Sequence, residues 1–296
     1  MKTSVETRVL ETVEDLRLWR ASQRVSEEAG GKAVLGFVPT MGALHEGHLS
    51  LIRMAATECS RVVVSIFVNP LQFGPNEDFD KYPRSFEADV ERCRQSGAHV
   101  VFHPTPAEFY AGGVDETTRV VPPHALVNRL CGKFRTGHFE GVATVVMKLF
   151  ALVEPDRAYF GEKDYQQLVI IKRMVADLNV PVTVVPVPTV REKDGLALSS
   201  RNAYLTDEQR SLAPRLHEAL LCVRDQALSG KMSLEQALDQ GRALIAATPD
   251  VCLQYLEVCD PDTLQPLSAP EVPMVVLAAA KLGNVRLIDN LIVRKA

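Results

Sequence analysis

The chain lacks any Cys-x-x-Cys pair; its six cysteines, Cys59, Cys93, Cys131, Cys222, Cys252 and Cys259, are scattered. In 296 residues that usage points away from a disulfide framework and towards reduced thiols in a cytoplasmic protein. No run of about 18 apolar residues occurs, so no membrane-spanning helix is expected. The first residues, with Glu6, Glu11, Glu14 and Asp15, carry no basic and apolar leader pattern, and no signal peptide is expected. A formal net charge of -4 and a pI near 6.0 leave no basic footprint for nucleic acid, so any anion must be held locally. Three familiar motifs are also missing. There is no Gly-x-x-x-x-Gly-Lys-Ser/Thr loop, no Gly-x-Gly-x-x-Gly after a strand and no Gly-x-Ser-x-Gly elbow.

What is present is ordinary globular composition, 46% hydrophobic and 24% charged, with length enough for two domains. The most informative stretch is early. Val34 to Val38, preceded by Gly30-Gly31 and stopped by Pro39, reads as a central parallel strand. After a loop marked by Gly42 and Gly47, Leu49, Ile52, Ala55 and Ala56 follow at helical spacing. His45 and His48 therefore sit where a strand becomes a helix, a place that offers free N-H groups and a positive dipole end to a phosphate. Their spacing is one short of a His-Glu-x-x-His zinc pair, and no third ligand stands nearby.

Strands and helices then alternate. Strands are expected at 62–68, 99–102, 158–160 and 182–187, helices at 86–96, 141–152 and 164–178, and an edge strand at 117–121 within a Pro- and Gly-rich excursion. This order means βαβ units and a parallel sheet. Past Pro188 the character changes. Thr206-x-x-Gln209 and Ser233-x-x-Gln236 read as capping boxes, with Pro214 restarting the first helix, and strand-like runs follow at 253–258, 274–277 and 285–288. The expected organisation is an α/β domain over 1–189 and a small α+β domain over 190–296, with a ligand cleft between them.

Four further stretches place chemistry at strand ends or loops. Gln72, after the strand that ends near Asn69-Pro70, offers donors and an acceptor for a hydroxyl or carboxylate. In Gly161-Glu162-Lys163-Asp164, Lys163 supplies a charge for phosphate, Asp164 is placed to cap a helix, to take a ribose hydroxyl, or both, and Gln167 follows one turn later. Leu198-Ser199-Ser200-Arg201 joins two hydroxyls to a guanidinium, which suits a polyphosphate. Lys133, Arg135 and His138 stand among glycines before a helix, as anion contacts or as a lid. Asp89, on a helix, is open as a magnesium ligand or a solvated carboxylate.

His-x-Gly-His at a strand-to-helix turn resembles the signature of the nucleotidylyltransferase superfamily. The longer runs Pro39 to His48, Ser65 to Gly74, Gly137 to Val146, Asp156 to Gln167 and Leu198 to Asn202 together resemble the pantothenate synthetase family over most of the chain. The resemblance implies a Rossmann-like nucleotidyltransferase domain with a small α+β C-terminal lid domain, usually in a homodimer. It implies ATP-dependent condensation of pantoate with β-alanine through a pantoyl adenylate, with Mg²⁺ carried on the nucleotide and AMP and pyrophosphate released. By the same resemblance, ATP is held by Met41, Gly42, Ala43, Leu44, His45, Glu46, Gly47, His48, Gly161, Glu162, Lys163, Asp164, Val190, Leu198, Ser199, Ser200 and Arg201. His48 is the implied catalytic histidine, assisted by His45, Lys163 and Arg201, while Gln72 contacts pantoate and β-alanine and Gln167 contacts pantoate. Leu198 departs from the Met common in relatives, a swap that roughly conserves volume. A transferase that keeps the nucleotide on its product, and a non-catalytic nucleotide-binding protein, are the rival readings.

Overall fold

The computed structural model describes residues 6–30, 33–75 and 77–295. Gly31, paired with Gly30 ahead of the first expected strand, lies outside the described residues, as do residues 1–5. The chain opens with β1 (Arg8–Leu10) and α1 (Val13–Gly30), neither of which the apolar pattern signals. β1 is a short edge strand, and α1 is poor in apolar residues, with only Leu16 and Trp19 buried up to Arg24.

Next come β2 (Leu35–Thr40), α2 (Glu46–Glu58), β3 (Arg61–Ile66), α3 (Phe86–Ser96) and β4 (Val100–Phe102). The single-turn helices α4 (Pro106–Phe109), α5 (His124–Val127) and α6 (Cys131–Phe134) precede α7 (His138–Val153), β5 (Arg157–Gly161), α8 (Tyr165–Asp177) and β6 (Thr183–Val187). The six strands form one sheet in the order β1-β4-β3-β2-β5-β6, every pair parallel. Phe37, Val38, Val62, Val63, Val64 and Val100 to Phe102 are fully buried, as continuous apolar runs covered on both faces must be.

Pro39 does not stop β2, contrary to the expectation from sequence. Leu35 accepts from Asp156 on the β5 side and Thr40 accepts from Phe67 on the β3 side, so by strand alternation Pro39 faces β5. The β2–β5 ladder has already ended at Phe37–Ala158, so no donor is missed there. β2 and β5 part at that point, and the crevice begins.

The expected edge strand at 117–121 is absent. Val120 donates instead to the Thr144 hydroxyl on α7 (3.0 Å), which satisfies its backbone without a ladder. α3 ends as expected, with Gly97 at φ +97°. α7 begins earlier than expected and packs against the 3-10 turn Pro70–Gln72. A Cβ at Gly141 would lie 2.1 Å from the Leu71 carbonyl oxygen, so only glycine permits this approach.

Beyond β6, α9 (Asp207–Leu212), α10 (Arg215–Ser229) and α11 (Leu234–Ala246) lead into the antiparallel sheet β7 (Val251–Cys259), β8 (Met274–Leu282) and β9 (Val285–Val293). Both capping boxes form, and Pro214 sits just before α10. All three strands outrun their expected lengths; in β8 the extension runs through Ala278 to Ala280, weak strand formers alone, which are buried in the middle of the sheet. One face of β8 (Val276, Ala278, Ala280) packs with α10 and α11. The other (Val275, Leu277) joins Tyr165 and Leu168 in the apolar cluster of the first sheet.

Candidate active site

β2 pairs with β3 on one side and β5 on the other, so the chain reverses direction of growth between β2 and β5. A crevice outside the strand ends at such a point is where open α/β sheets bind ligands. Here it has a cavity of about 220 Å³ lined by Met41, His45, His48, Gln72, Lys163 and Arg201 among others. A neighbouring hollow of about 520 Å³ shares Lys163 and Arg201 and reaches the C-terminal sheet.

The histidine loop is more committed than the sequence suggests. Gly47 N-H donates to His45 Nδ1 (3.1 Å) and His45 N-H donates to His48 Nδ1 (3.3 Å), so the imidazoles cap α2. The expected offer of free N-H groups is thereby reduced: side chains take up part of the donor set at this helix N-terminus. A Cβ on Gly47 would meet the His45 ring at 2.9 Å, which explains a glycine between the histidines. Because both Nδ1 atoms accept, both rings are Nε2-H tautomers. Burial first, and then the Lys163 charge, lowers His45 to about 4; burial and the neighbouring His45 lower His48 to about 3. Both are neutral donors at pH 7.

Asp89 is neither a solvated carboxylate nor free for an ion. It is buried, and its oxygens accept from Ala43 N-H (2.8 Å), Leu44 N-H (2.9 Å) and the Ser85 hydroxyl (3.1 Å). Those bonds hold the loop at Gly42 and Ala43, whose φ values are +84° and +48°. Among the described residues no cluster of three or more His, Cys, Asp or Glu side chains could hold a metal.

Gln72 is not a solvated loop residue. It is buried, accepts from Asn69 Nδ2 (3.2 Å) and directs Nε2 at Met41 Sδ (2.9 Å). Asp164 precedes α8 but makes no side-chain cap, which removes the structural alternative for it. Its carboxylate is half-exposed in the crevice, 3.8 Å from Lys163 Nζ. The crevice walls by themselves would raise its pKa, but Lys163 and Arg201 hold it below the ordinary value. Asn290 on β9 donates to the carbonyls of Glu162 and Lys163 (2.9 Å each), so the second sheet fixes the lysine's backbone.

Arg201 forms a bidentate pair with Asp78 (3.0 and 2.8 Å). Ser200 donates to Ala43 O (3.1 Å), joining its loop to the histidine loop. Arg135 is held by Glu77 (2.7 and 2.5 Å) and donates to His138 Nε2 (2.9 Å), while His138 Nδ1 donates to Gln72 O (2.8 Å). Burial, and then Arg135, lowers His138 to about 3. Arg135 and His138 are thus an ordered wall of the crevice, and Lys133 is exposed outside it.

A sequence profile described as Pantoate-beta-alanine ligase matches residues 8–292. The chain belongs to the pantoate-beta-alanine ligase family. It is similar to a crystal structure of pantothenate synthetase from Thermus thermophilus, with 47% identity, a TM-score of 0.90, and coverage of 97% of this chain and 100% of that one. It is also similar to a pantoate-beta-alanine ligase from Francisella tularensis, described as complexed with beta-gamma ATP and beta-alanine. That match has 34% identity, a TM-score of 0.77, and coverage of 97% of this chain and 98% of that one. A curated relative, the bifunctional pantoate ligase/cytidylate kinase of Synechococcus sp. (strain JA-3-3Ab), is 52% identical over 96% of this chain and 52% of its own length. The chain spans about half the length of the bifunctional relatives it matches.

The ligase-family motifs converge unevenly. Met41, His45, Gly47, His48, Gln72, Gly161, Lys163, Asp164, Gln167, Val190 and Leu198 to Arg201 all line the crevice. Gly42, Ala43, Leu44, Glu46 and Glu162 do not. Glu46 is exposed and pairs with Arg53, and Glu162 is buried against Arg294. Sequence reasoning singled out neither Asn69 nor Tyr82 as a site residue, although both line the crevice, nor Asn290. An Asn-Pro directly after a strand was a usable signal for Asn69; nothing local marks Tyr82 or Asn290.

Proposed function

We propose that this chain condenses pantoate with β-alanine at the expense of ATP, through a pantoyl adenylate, releasing AMP and pyrophosphate. The observation that carries the reading is the convergence in one crevice of neutral histidine donors, Lys163 and the Ser199–Arg201 segment with the buried amide of Gln72 and with Gln167. The relatives add ATP and β-alanine as ligands of a family member.

In this reading the triphosphate lies along the N-terminus of α2, and its magnesium arrives with the nucleotide. Nε2-H of His45 and His48, with Lys163, Ser199 and Ser200, donate to the charge that gathers on the α-phosphate and leaving pyrophosphate. Arg201 exchanges Asp78 for phosphate oxygens as ATP enters. The pantoate carboxylate, held by Gln72 and Gln167, attacks the α-phosphorus in line. The amine of β-alanine then attacks the acyl carbonyl and AMP leaves. Asp164 takes a ribose hydroxyl. Residues 1–189 provide the nucleotide and pantoate sites, and 190–296 cover the crevice and limit hydrolysis of the adenylate. We place the enzyme in the cytoplasm, as a homodimer.

The test is pyrophosphate release from ATP and pantoate, with and without β-alanine. One turnover without the amine, becoming continuous with it, is the expected result. Continuous release without β-alanine would favour a nucleotidyltransferase, and none under either condition would favour a binding protein.

A further inference from the structure

The direction in which Gln72 presents its amide is set from outside the crevice. Asn69 is 1% exposed and uses its full hydrogen-bonding capacity. Its Oδ1 accepts from the Tyr110 hydroxyl (2.8 Å) and from Leu71 N-H (3.2 Å); its Nδ2 donates to Gly141 O (3.1 Å) and to Gln72 Oε1 (3.2 Å). Reversing that amide would set an NH₂ against the Leu71 N-H and a carbonyl-type oxygen against the oxygens of Gly141 and Gln72. One orientation survives. It follows that Gln72 Oε1 is occupied and that its NH₂ is the part turned to Met41 and the crevice.

Tyr110 is the outermost member of this chain of bonds. It is 3% exposed and is not among the crevice-lining residues. Its hydroxyl makes the hydrogen bond to Asn69, and its ring packs on Phe67 and Phe109 with Lys148 Nζ 5.4 Å from its centroid. Burial pushes its ionisation well above the ordinary tyrosine range, so the hydroxyl remains a donor throughout the working pH range.

We propose that Tyr110 is a positioning residue which, through Asn69, steadies Gln72 as a donor, so that this end of the crevice accepts a carboxylate or hydroxyl oxygen of the acid substrate and disfavours a cationic amine. The proposal rests on the reading of Gln72 as a substrate contact given above. Without the tyrosine hydroxyl, Asn69 loses the shortest bond on its oxygen and is held by Leu71 N-H and Gly141 O alone, so its grip on Gln72 loosens and the glutamine amide moves more freely.

The decisive variant is Tyr110→Phe, which removes one oxygen and leaves the aromatic packing in place. The half-saturating concentration of pantoate should rise about tenfold, the scale of one net hydrogen bond to a polar group, with that of ATP changed by less than about twofold. A merely structural role would shift both constants together or lower kcat alone. A second readout does not depend on activity: the side-chain amide signals of Asn69 and Gln72 in nitrogen-15-labelled protein. They should be sharp and single in the unaltered chain and exchange-broadened for Gln72 in Tyr110→Phe. Unchanged sharp signals, or a loosened amide with an unchanged pantoate constant, would overturn the proposal. If the unaltered protein releases no pyrophosphate with pantoate, the functional reading fails, and the amide lock is then judged on the signals alone. Should Tyr110→Phe not fold, Asn69→Asp puts an acceptor where Gln72 meets a donor; the Gln72 amide should then turn its NH₂ to residue 69 and its signals shift, and unshifted Gln72 signals would overturn the proposal.

Discussion

His48 does two jobs that substitution can separate. Its Nδ1 accepts the His45 N-H at 3.3 Å, a long bond on a helix cap, and its Nε2-H is left to donate into the crevice. An asparagine at this position keeps an acceptor near Nδ1 and removes the distal donor; a glutamine does the reverse. Loss of the weak cap should cost about 0.5 kcal/mol, at the low end for N-cap substitutions. In a chain of this length that lowers Tm by about 1–2 °C. Loss of a donor aimed at developing phosphate charge should cost about 10²–10³ in rate, or about 2.7–4 kcal/mol. His48→Asn should therefore be nearly as stable as the unaltered protein yet about a hundredfold slower in single-turnover pyrophosphate release. His48→Gln should recover a substantial part of the rate while losing slightly more stability. Because burial holds His48 at about 3, its imidazole nitrogen signals should show an unprotonated ring in the Nε2-H form down to about pH 5. A rate for His48→Asn within threefold of normal, or a ring that becomes cationic near pH 6, would refute the neutral-donor account.

Acid should unfold the protein earlier than its carboxylates alone require. His45, His48 and His138 have folded-state pKa values of about 4, 3 and 3, all below the ordinary 6.5. The unfolded chain thus binds more protons: stability is fully present above pH 6.5 and falls as pH drops towards the folded values. The slope is at most about 1.4 kcal/mol per pH unit for each group, less where solvent reaches the rings. Thermal melts should be level from pH 8 to 7 and decline between pH 6.5 and 5; a flat curve there would contradict these shifts. Asn290→Ala removes both donors to the Glu162 and Lys163 carbonyls and should lower stability by about 1–3 kcal/mol while raising the half-saturating ATP concentration. Equilibrium denaturation and initial rates test both, and an unchanged ATP constant would show that β9 does not position Lys163. Leu198→Met, a swap that roughly conserves volume, should change stability and rate only slightly, within about 1.5 kcal/mol. A tenfold change in rate would mean that the side chain shapes the nucleotide subsite.

Much of this molecule is legible along the chain. The apolar runs of β2, β3 and β4 are too continuous for half-solvated strands, so alternating strands and helices dictate a parallel sheet. His45, His48 and Lys163 lie at turns from strand to helix, which places them at the carboxyl edge of that sheet. Capping boxes at Thr206 and Ser233 and the stop at Gly97 work through residues four positions apart or fewer, and they form as expected. Among the elements missed, β1 and α1 up to Arg24 bury too few apolar residues to stand out, and α4, α5 and α6 are single turns.

Tertiary structure decided the questions that turn on partners distant in sequence. Asp89 has its role because the backbone of Ala43 and Leu44 arrives from another βα unit; nothing near residue 89 announces it. Asn290 reaches Lys163 across 127 positions, and Arg201 meets Asp78 across 123. The tautomers of His45 and His48 follow from which nitrogen the cap occupies, and the direction of Gln72 follows from Asn69, whose own amide is set by Leu71 N-H and Gly141 O. Local sequence fixes what a backbone segment prefers and which chemical groups it carries. The protonation, orientation and freedom of those groups depend on neighbours that only the folded chain brings within hydrogen-bonding reach.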